Sequence, residues 1–285
     1  DPRVVNGALR LTDQSGNVAT RATLLDSIPW DDNRVEVTLR HYAYGSGSGD
    51  ADGIAVTFSD AAVTPDPGGY GGSLGYAQRN GGVDGFAGGW LGIALDEYGN
   101  FSNPTEGREG GPGRTLNSVA IRGDGSGGSG CEYIAGTGSL SPPVSAPNSD
   151  SRAPGHLYRF VVDTRTPGEA LVEVQRDTSG TGSSFVTLIS EDVADDQNSA
   201  APAEVFLTFT GATGGSANFH EIDELEVCAS RGFGETALAV EIAHDNAAVT
   251  CQAERVTLRI VDDAGNRVRD FTGTVNLSTS TGNGV

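Results

Sequence analysis

Asp50-Ala-Asp-Gly-Ile-Ala-Val-Thr-Phe58 and Gly89-Trp-Leu-Gly-Ile-Ala-Leu-Asp-Glu-Tyr-Gly-Asn-Phe-Ser-Asn-Pro104 are the two stretches on which the reading of this chain turns. Ile54, Val56 and Phe58 alternate with smaller residues, as do Leu91, Ile93 and Leu95. This is the period-two pattern of strands that face a core. Carboxylates and an amide stand where each run stops: Asp50 and Asp52 before the first, Asp96, Glu97 and Asn100 after the second. A loop that leaves a strand end is where hard oxygen ligands can gather around a cation and a polyhydroxylated ligand.

The same alternation recurs at residues 35–40, 158–162, 171–174, 185–189 and 205–209, each bounded by Gly, Pro, Asp or Asn. No window carries a convincing amphipathic helix. With 42 glycines, no methionine and 285 residues, the chain reads as an all-β sandwich of many short strands with room for a further module. Two stretches interrupt the strand pattern. The glycine-dominated segment 67–89 is expected to be a structureless binding loop, and the Ser/Pro/Gly segment 139–155 a surface excursion.

The formal charge is -20 and all 18 basic residues are arginine. Such a balance repels nucleic acid and anionic headgroups, so neither is an expected partner. A saline habitat, a GC-rich genome and calcium-rich surroundings would each produce it. No apolar run approaches the length of a membrane span, and no basic-then-apolar leader opens the chain at Asp1, which reads as a mature or trimmed start from which a leader could have been removed. Cys131, Cys228 and Cys251 lack metal-type spacing, and an odd count leaves a free thiol or an intermolecular bridge. One candidate pairing is Cys228 with Cys251, across a domain junction.

The chemistry of the two opening stretches is specific. A carboxylate offers two strong acceptors to vicinal hydroxyls, and a bare glycine lets a backbone amide approach a sugar ring. Calcium takes six to eight oxygens, so the Asp96 side chain, the Tyr98 carbonyl and the Asn100 side chain could wrap one ion from a single loop. Tyr70, Tyr76, Trp90 and Phe101 are candidate stacking faces.

Asp52-Gly-Ile-Ala55, the loop Gly68-Gly-Tyr-Gly-Gly-Ser-Leu-Gly-Tyr76 and Leu95-Asp-Glu-Tyr-Gly-Asn100 together resemble the legume-type (L-type) lectins of the concanavalin A-like jelly-roll fold. The resemblance implies that Asp52 accepts hydrogen bonds from two sugar hydroxyls, that Gly72 or its neighbour Gly71 donates one through its amide, and that Asn100 donates another while its amide oxygen binds calcium. It also implies Asp96, Tyr98 and Asn100 as metal ligands. The chain departs from the plant pattern at Ala94, where a transition-metal glutamate would stand, and no histidine lies between His41 and His156. The second metal of plant lectins is therefore not expected. The further calcium aspartate has no clear counterpart among Asn103, Thr105 and Glu106.

Glu221-Ile-Asp-Glu-Leu-Glu226 fits E-x-D-x-x-E, a pattern similar to that of retaining β-glucanases on the same jelly roll, with Glu221 and Glu226 as nucleophile and acid/base. The motif closes the domain instead of standing in its middle, and the reading favours a non-enzyme. The four histidines form no catalytic order.

Beyond the lectin elements, Asn218-Phe-His-Glu-Ile-Asp-Glu-Leu-Glu-Val-Cys-Ala229, Ala243-His-Asp-Asn-Ala-Ala-Val-Thr-Cys251 and Thr274-Val-Asn-Leu-Ser-Thr-Ser-Thr-Gly282 are similar to the MSHA pilus biogenesis MshQ family. That likeness implies a secreted, outer-surface or pilus-associated bacterial adhesin module whose partners are cell-surface or matrix glycans and pilus components. The expected organisation is a concanavalin A-like domain over residues 1–232, then the first strands of an immunoglobulin-like domain over residues 233–285. A purely structural pilus module with no ligand is the bland alternative.

Overall fold

The computed structural model describes residues 2–45, 50–146, 151–152, 155–231, 239–243 and 257–261. The chain divides into two compact units, Asp1–Gly234 and Glu235–Val285.

In chain order the first unit carries β1 (Arg3–Val5), β2 (Ala8–Thr12), β3 (Val18–Thr23), β4 (Ile28–Pro29), β5 (Arg34–Tyr44), β6 (Gly53–Asp60) and β7 (Gly89–Asp96). There follow β8 (Ser118–Arg122), β9 (Tyr133–Gly136), β10 (His156–Asp163), β11 (Leu171–Asp177), β12 (Val186–Asp192), β13 (Glu204–Thr213) and β14 (Phe219–Ala229). One antiparallel sheet has the order β1-β2-β14-β5-β10-β11-β12, and the other β3-β13-β6-β7-β8-β9, with β4 also on β13. The second unit contributes β15 (Ala239–Ala243) and β16 (Thr257–Val261), an antiparallel pair. The rest of the expected immunoglobulin-like strands, and Cys251 with its candidate bridge to Cys228, lie outside the described residues.

Alternation builds the first sheet. In β5, Val35, Val37, Leu39, His41 and Ala43 turn inward while Glu36, Thr38, Arg40 and Tyr42 turn outward. The inward set meets Ile54, Val56 and Phe58 of β6 and Leu91, Ile93 and Leu95 of β7 in the main core. Trp30 and Trp90 pack edge to face there at 4.7 Å.

The second sheet is buried on both faces over β6, β7 and β8. A second core lies there: Ala55, Ala94 and Ala120 of the sheet are covered by Leu74, Tyr76, Phe86, Phe101 and Cys131 from the loops. Small residues on the sheet leave room for large ones above it. Gly92 is the extreme case, since a Cβ there would stand 2.4 Å from the Tyr76 ring. Each large covering side chain contributes about 2–3 kcal/mol of burial. The segment 67–89 is therefore an ordered lid on the sheet and not a structureless loop, because Leu74, Tyr76, Ala77 and Phe86 all pack down onto it.

The segment 139–155 also departs from a simple surface excursion. Val144 joins the main core, and Arg176 reaches the carbonyls of Pro142 and Pro143 at 2.7 Å each.

Candidate functional site

Antiparallel register brings three strand ends to one rim. Gly53 at the start of β6 pairs with Asp96 at the end of β7 and with Ala212 near the end of β13. The segments running off these ends, 50–52, 97–101 and 214–216, thus converge with the single 3-10 turn Gly71–Ser73 of the lid. Between them is a cleft of about 250 Å³ whose lining includes Asp52, Tyr70, Gly71, Gly72, Asn100 and Gly214. All four residues expected to hold a sugar line this one cleft.

Asp52 sits at its floor, 4% exposed, after a cis Ala51–Asp52 peptide. Its amide donates to the Ala212 carbonyl at 3.2 Å and its own carbonyl accepts from the Glu97 amide at 2.9 Å, so both neighbouring strand ends grip it. The side chain is left over: Oδ2 is buried and has no protein partner. Burial pushes the carboxyl up to about 7. Gly72 is required by contact, because a Cβ there would stand 2.2 Å from the Asn100 Cβ. Gly71 and Gly72 open their turn, so their N–H groups have no carbonyl within it to serve.

Behind Asp52 lies a buried polar chain that the sequence did not disclose. Glu97 Oε1 meets His220 Nε2, Glu97 Oε2 accepts from Asn218 at 2.8 Å, and His220 Nδ1 meets the Thr12 hydroxyl. Glu97 comes from the site rim and the other three from the opposite sheet or its flank, so the chain ties the two layers. His220 stacks on His41 at 6.4 Å, and burial keeps His41 well below the usual histidine range.

The expected metal ligands are close together, but their oxygens are engaged. Asp96 is fully buried; Oδ1 accepts from the Gly99 amide and Oδ2 from the Phe101 amide, each at 2.7 Å. Burial nevertheless holds its carboxyl up at about 8. The Tyr98 carbonyl accepts from Arg114 at 2.9 Å, and Asn100 Oδ1 from Asn103 at 3.2 Å. Among the described residues no three His, Cys, Asp or Glu side chains converge for a metal. A guanidinium stands in this region instead: Arg108 donates to Ser73 Oγ at 2.9 Å, Thr105 Oγ1 at 3.0 Å and Glu106 Oε2 at 3.2 Å. With each expected ligand oxygen already accepting a hydrogen bond and a guanidinium beside them, this set does not fit a calcium ion, which gathers six to eight oxygens from protein and water.

Of the four aromatic candidates, Tyr70 lines the cleft. Tyr76 and Phe101 belong to the second core and Trp90 to the main core, so these three are packing residues. Glu221 and Glu226 do not form a hydrolase pair. They lie opposite Tyr42 and Thr38 of β5, four residues apart and about 13 Å along the strand, against about 5 Å for retaining and 6.5–9.5 Å for inverting carboxylates. Glu221 is moreover held by Arg10 at 2.7 Å and by Arg152. The residues missed at the cleft include Asn17, Arg79 and the loop Gly214-Gly-Ser216, and for the last the paired glycines between two strands were the available signal.

No family model matches this chain, and no curated protein matches it. Solved structures do. The VIP36 exoplasmic/lumenal domain in its Ca2+/Man3GlcNAc-bound form is 16% identical with a TM-score of 0.51 over 79% of this chain and 82% of its own. The basic winged bean lectin with Tn-antigen is 17% identical, TM-score 0.53, over 81% and 90%. Lectin I-B4 from Griffonia simplicifolia in a metal-free form is 16% identical, TM-score 0.54, over 81% and 91%. At such identities the likeness speaks to the fold, which is that of the concanavalin A-like jelly-roll lectins.

Proposed function

We propose that the first unit is a carbohydrate-binding, lectin-like module whose glycan seat is the cleft above Asp52. One observation carries this reading: a buried carboxylate with an oxygen free of protein partners faces a cleft walled by bare glycines and the Asn100 amide. Such a group discriminates a ligand that brings hydroxyl donors in pairs, because a buried acceptor left unmet is costly and a charged acceptor bonded to hydroxyls is strong. The Gly71 and Gly72 amides and the Asn100 side chain then serve the sugar's acceptors, with Tyr70 beside them. Solved lectins of the same fold that hold mannose oligosaccharide or Tn-antigen support the assignment.

The setting we propose is the one that the MshQ resemblance implies, an outer-surface or pilus-associated adhesin. A shallow polar seat holds each glycan weakly and depends on multivalent display. Calcium dependence, expected at the outset, is not part of the proposal, because the oxygens that would bind the ion are already engaged. The test is a glycan array probed with the full chain and with its Asp52→Ala variant. Binding lost in the variant supports the reading; silence of the wild type at high density, with and without calcium, overturns it.

A further inference from the structure

We propose that the Arg108 guanidinium is the resident cation of this site, organising from within the chain the loops that a bound calcium was expected to organise. Its side chain is wholly out of solvent. Nη1 holds Ser73 of the lid turn, while Nη2 and Nε hold Thr105, Glu106 and the Asn103 carbonyl of the loop after β7. Two separate segments that line the cleft are thus joined through one planar group. A Cβ built on Gly72 would meet Asn100 on one hand and Arg108 Nη2, at 3.4 Å, on the other. The guanidinium therefore stands beside the amide expected to touch both sugar and metal.

Burial disfavours the charged forms of Arg108, Asp96 and Asp52 alike, and the attraction between the guanidinium and the two carboxyls offsets part of that cost. A buried cation is tolerated only when paired and fully bonded. Arg108 meets that condition with four hydrogen bonds to hydroxyl, carboxylate and carbonyl oxygens, of a kind a guanidinium makes and an ammonium cannot reproduce. Asp96 meets its own needs from the Gly99 and Phe101 amides. The loop is thereby closed without a metal: its acceptors face N–H groups, where a calcium loop would leave them facing an ion.

This inference rests on the glycan-binding reading for what the cleft holds, and the test separates the two. Thermal unfolding of the wild type is followed in EDTA and over a calcium chloride titration; the expected result is an unchanged Tm, and a saturable rise overturns the proposal. Hydrogen exchange is then compared between wild type and Arg108→Gln. Faster exchange confined to residues 71–79 and 97–108, with β5 and β10 protected as before, is expected, and wild-type exchange in those loops overturns it. Arg108→Lys should recover only part of that protection, since it restores charge without the fork. If Arg108→Gln does not fold, the calcium titration of the wild type decides. On the array, equal binding in EDTA and in calcium, weakened about tenfold or more in Arg108→Gln, supports both readings. Binding that requires calcium overturns the role of Arg108 and leaves the glycan seat standing. Silence in both buffers removes the glycan seat, and the Tm and exchange results still judge Arg108.

Discussion

A Cβ on Gly214 would stand 2.9 Å from Asp52 Oδ2, so the buried, unpartnered oxygen is covered on that side only by a residue without a side chain. Gly214→Ala should therefore weaken glycan binding by about tenfold, the cost of roughly one obstructed charged hydrogen bond. Gly215→Ala is the control, since a Cβ there meets nothing within 4 Å. Array titrations with both variants at matched Tm check this; equal affinities would place the ligand elsewhere.

Asp52 is costly to keep ionised in the folded chain. Burial holds its carboxyl at about 7, against an ordinary 3.8. The folded chain keeps a proton that the unfolded chain gives up, so this contribution to stability is complete below about pH 4 and is lost as pH rises to about 7. Asp52→Asn has no proton to lose. Its Tm advantage over the wild type should open from about pH 4, level off above about pH 7 and correspond there to on the order of 4 kcal/mol. Parallel Tm curves would refute the burial argument.

Wild-type glycan affinity should move the other way. The ionised carboxylate is the stronger acceptor, so binding should strengthen as pH rises through about 7. Titrations at several pH values measure it, and affinity falling over that range would contradict Asp52 as acceptor.

Arg122 of β8 is a structural staple. Fully buried, it donates to the carbonyls of Phe101 and Cys131 at 2.7 Å each, to Gly110 at 3.3 Å and to Glu109. Arg122→Met fills the space and leaves those carbonyls unmet, with an expected loss of about 3 kcal/mol in urea unfolding. A loss under about 1 kcal/mol would mean that water or a repacked loop replaces it.

Glu221→Gln should lower stability by about 1–3 kcal/mol through its two arginines and leave glycan binding intact. Neither protein should release reducing ends from β-glucan. Release by the wild type that vanishes in the variant would restore the hydrolase reading.

The sequence made the sandwich readable because alternation in 35–40 or 54–58 is a direct record of which face meets the core. The motif resemblance grouped Asp52, Gly71, Gly72 and Asn100, and the fold places all four on one cleft; their role toward a sugar is the proposal. Arg108 was not readable in the sequence. An arginine in a glycine-rich loop looks solvated, and only the closure of two distant loops over it reveals that it is buried. The lid was misjudged for a related reason: Leu74, Tyr76 and Phe86 are spaced too irregularly to show a period, yet all face the small-residue side of β6–β8. The Glu97–His220 link joins residues far apart in sequence, and no local pattern encodes it.

β14 leads out of the first unit while lying in the middle of its sheet, paired with β5 over most of its length and with β2 near its start. A pull on the chain after Ala229 runs along the strand, so the β5 ladder is loaded in parallel and resists by shear instead of opening one bond at a time. The far end of the same strand is His220, bonded to Glu97 beneath the cleft. In the proposed adhesin setting, tension on the chain would be carried to the back of the cleft loops, with the load at one end of the strand and the cleft at the other.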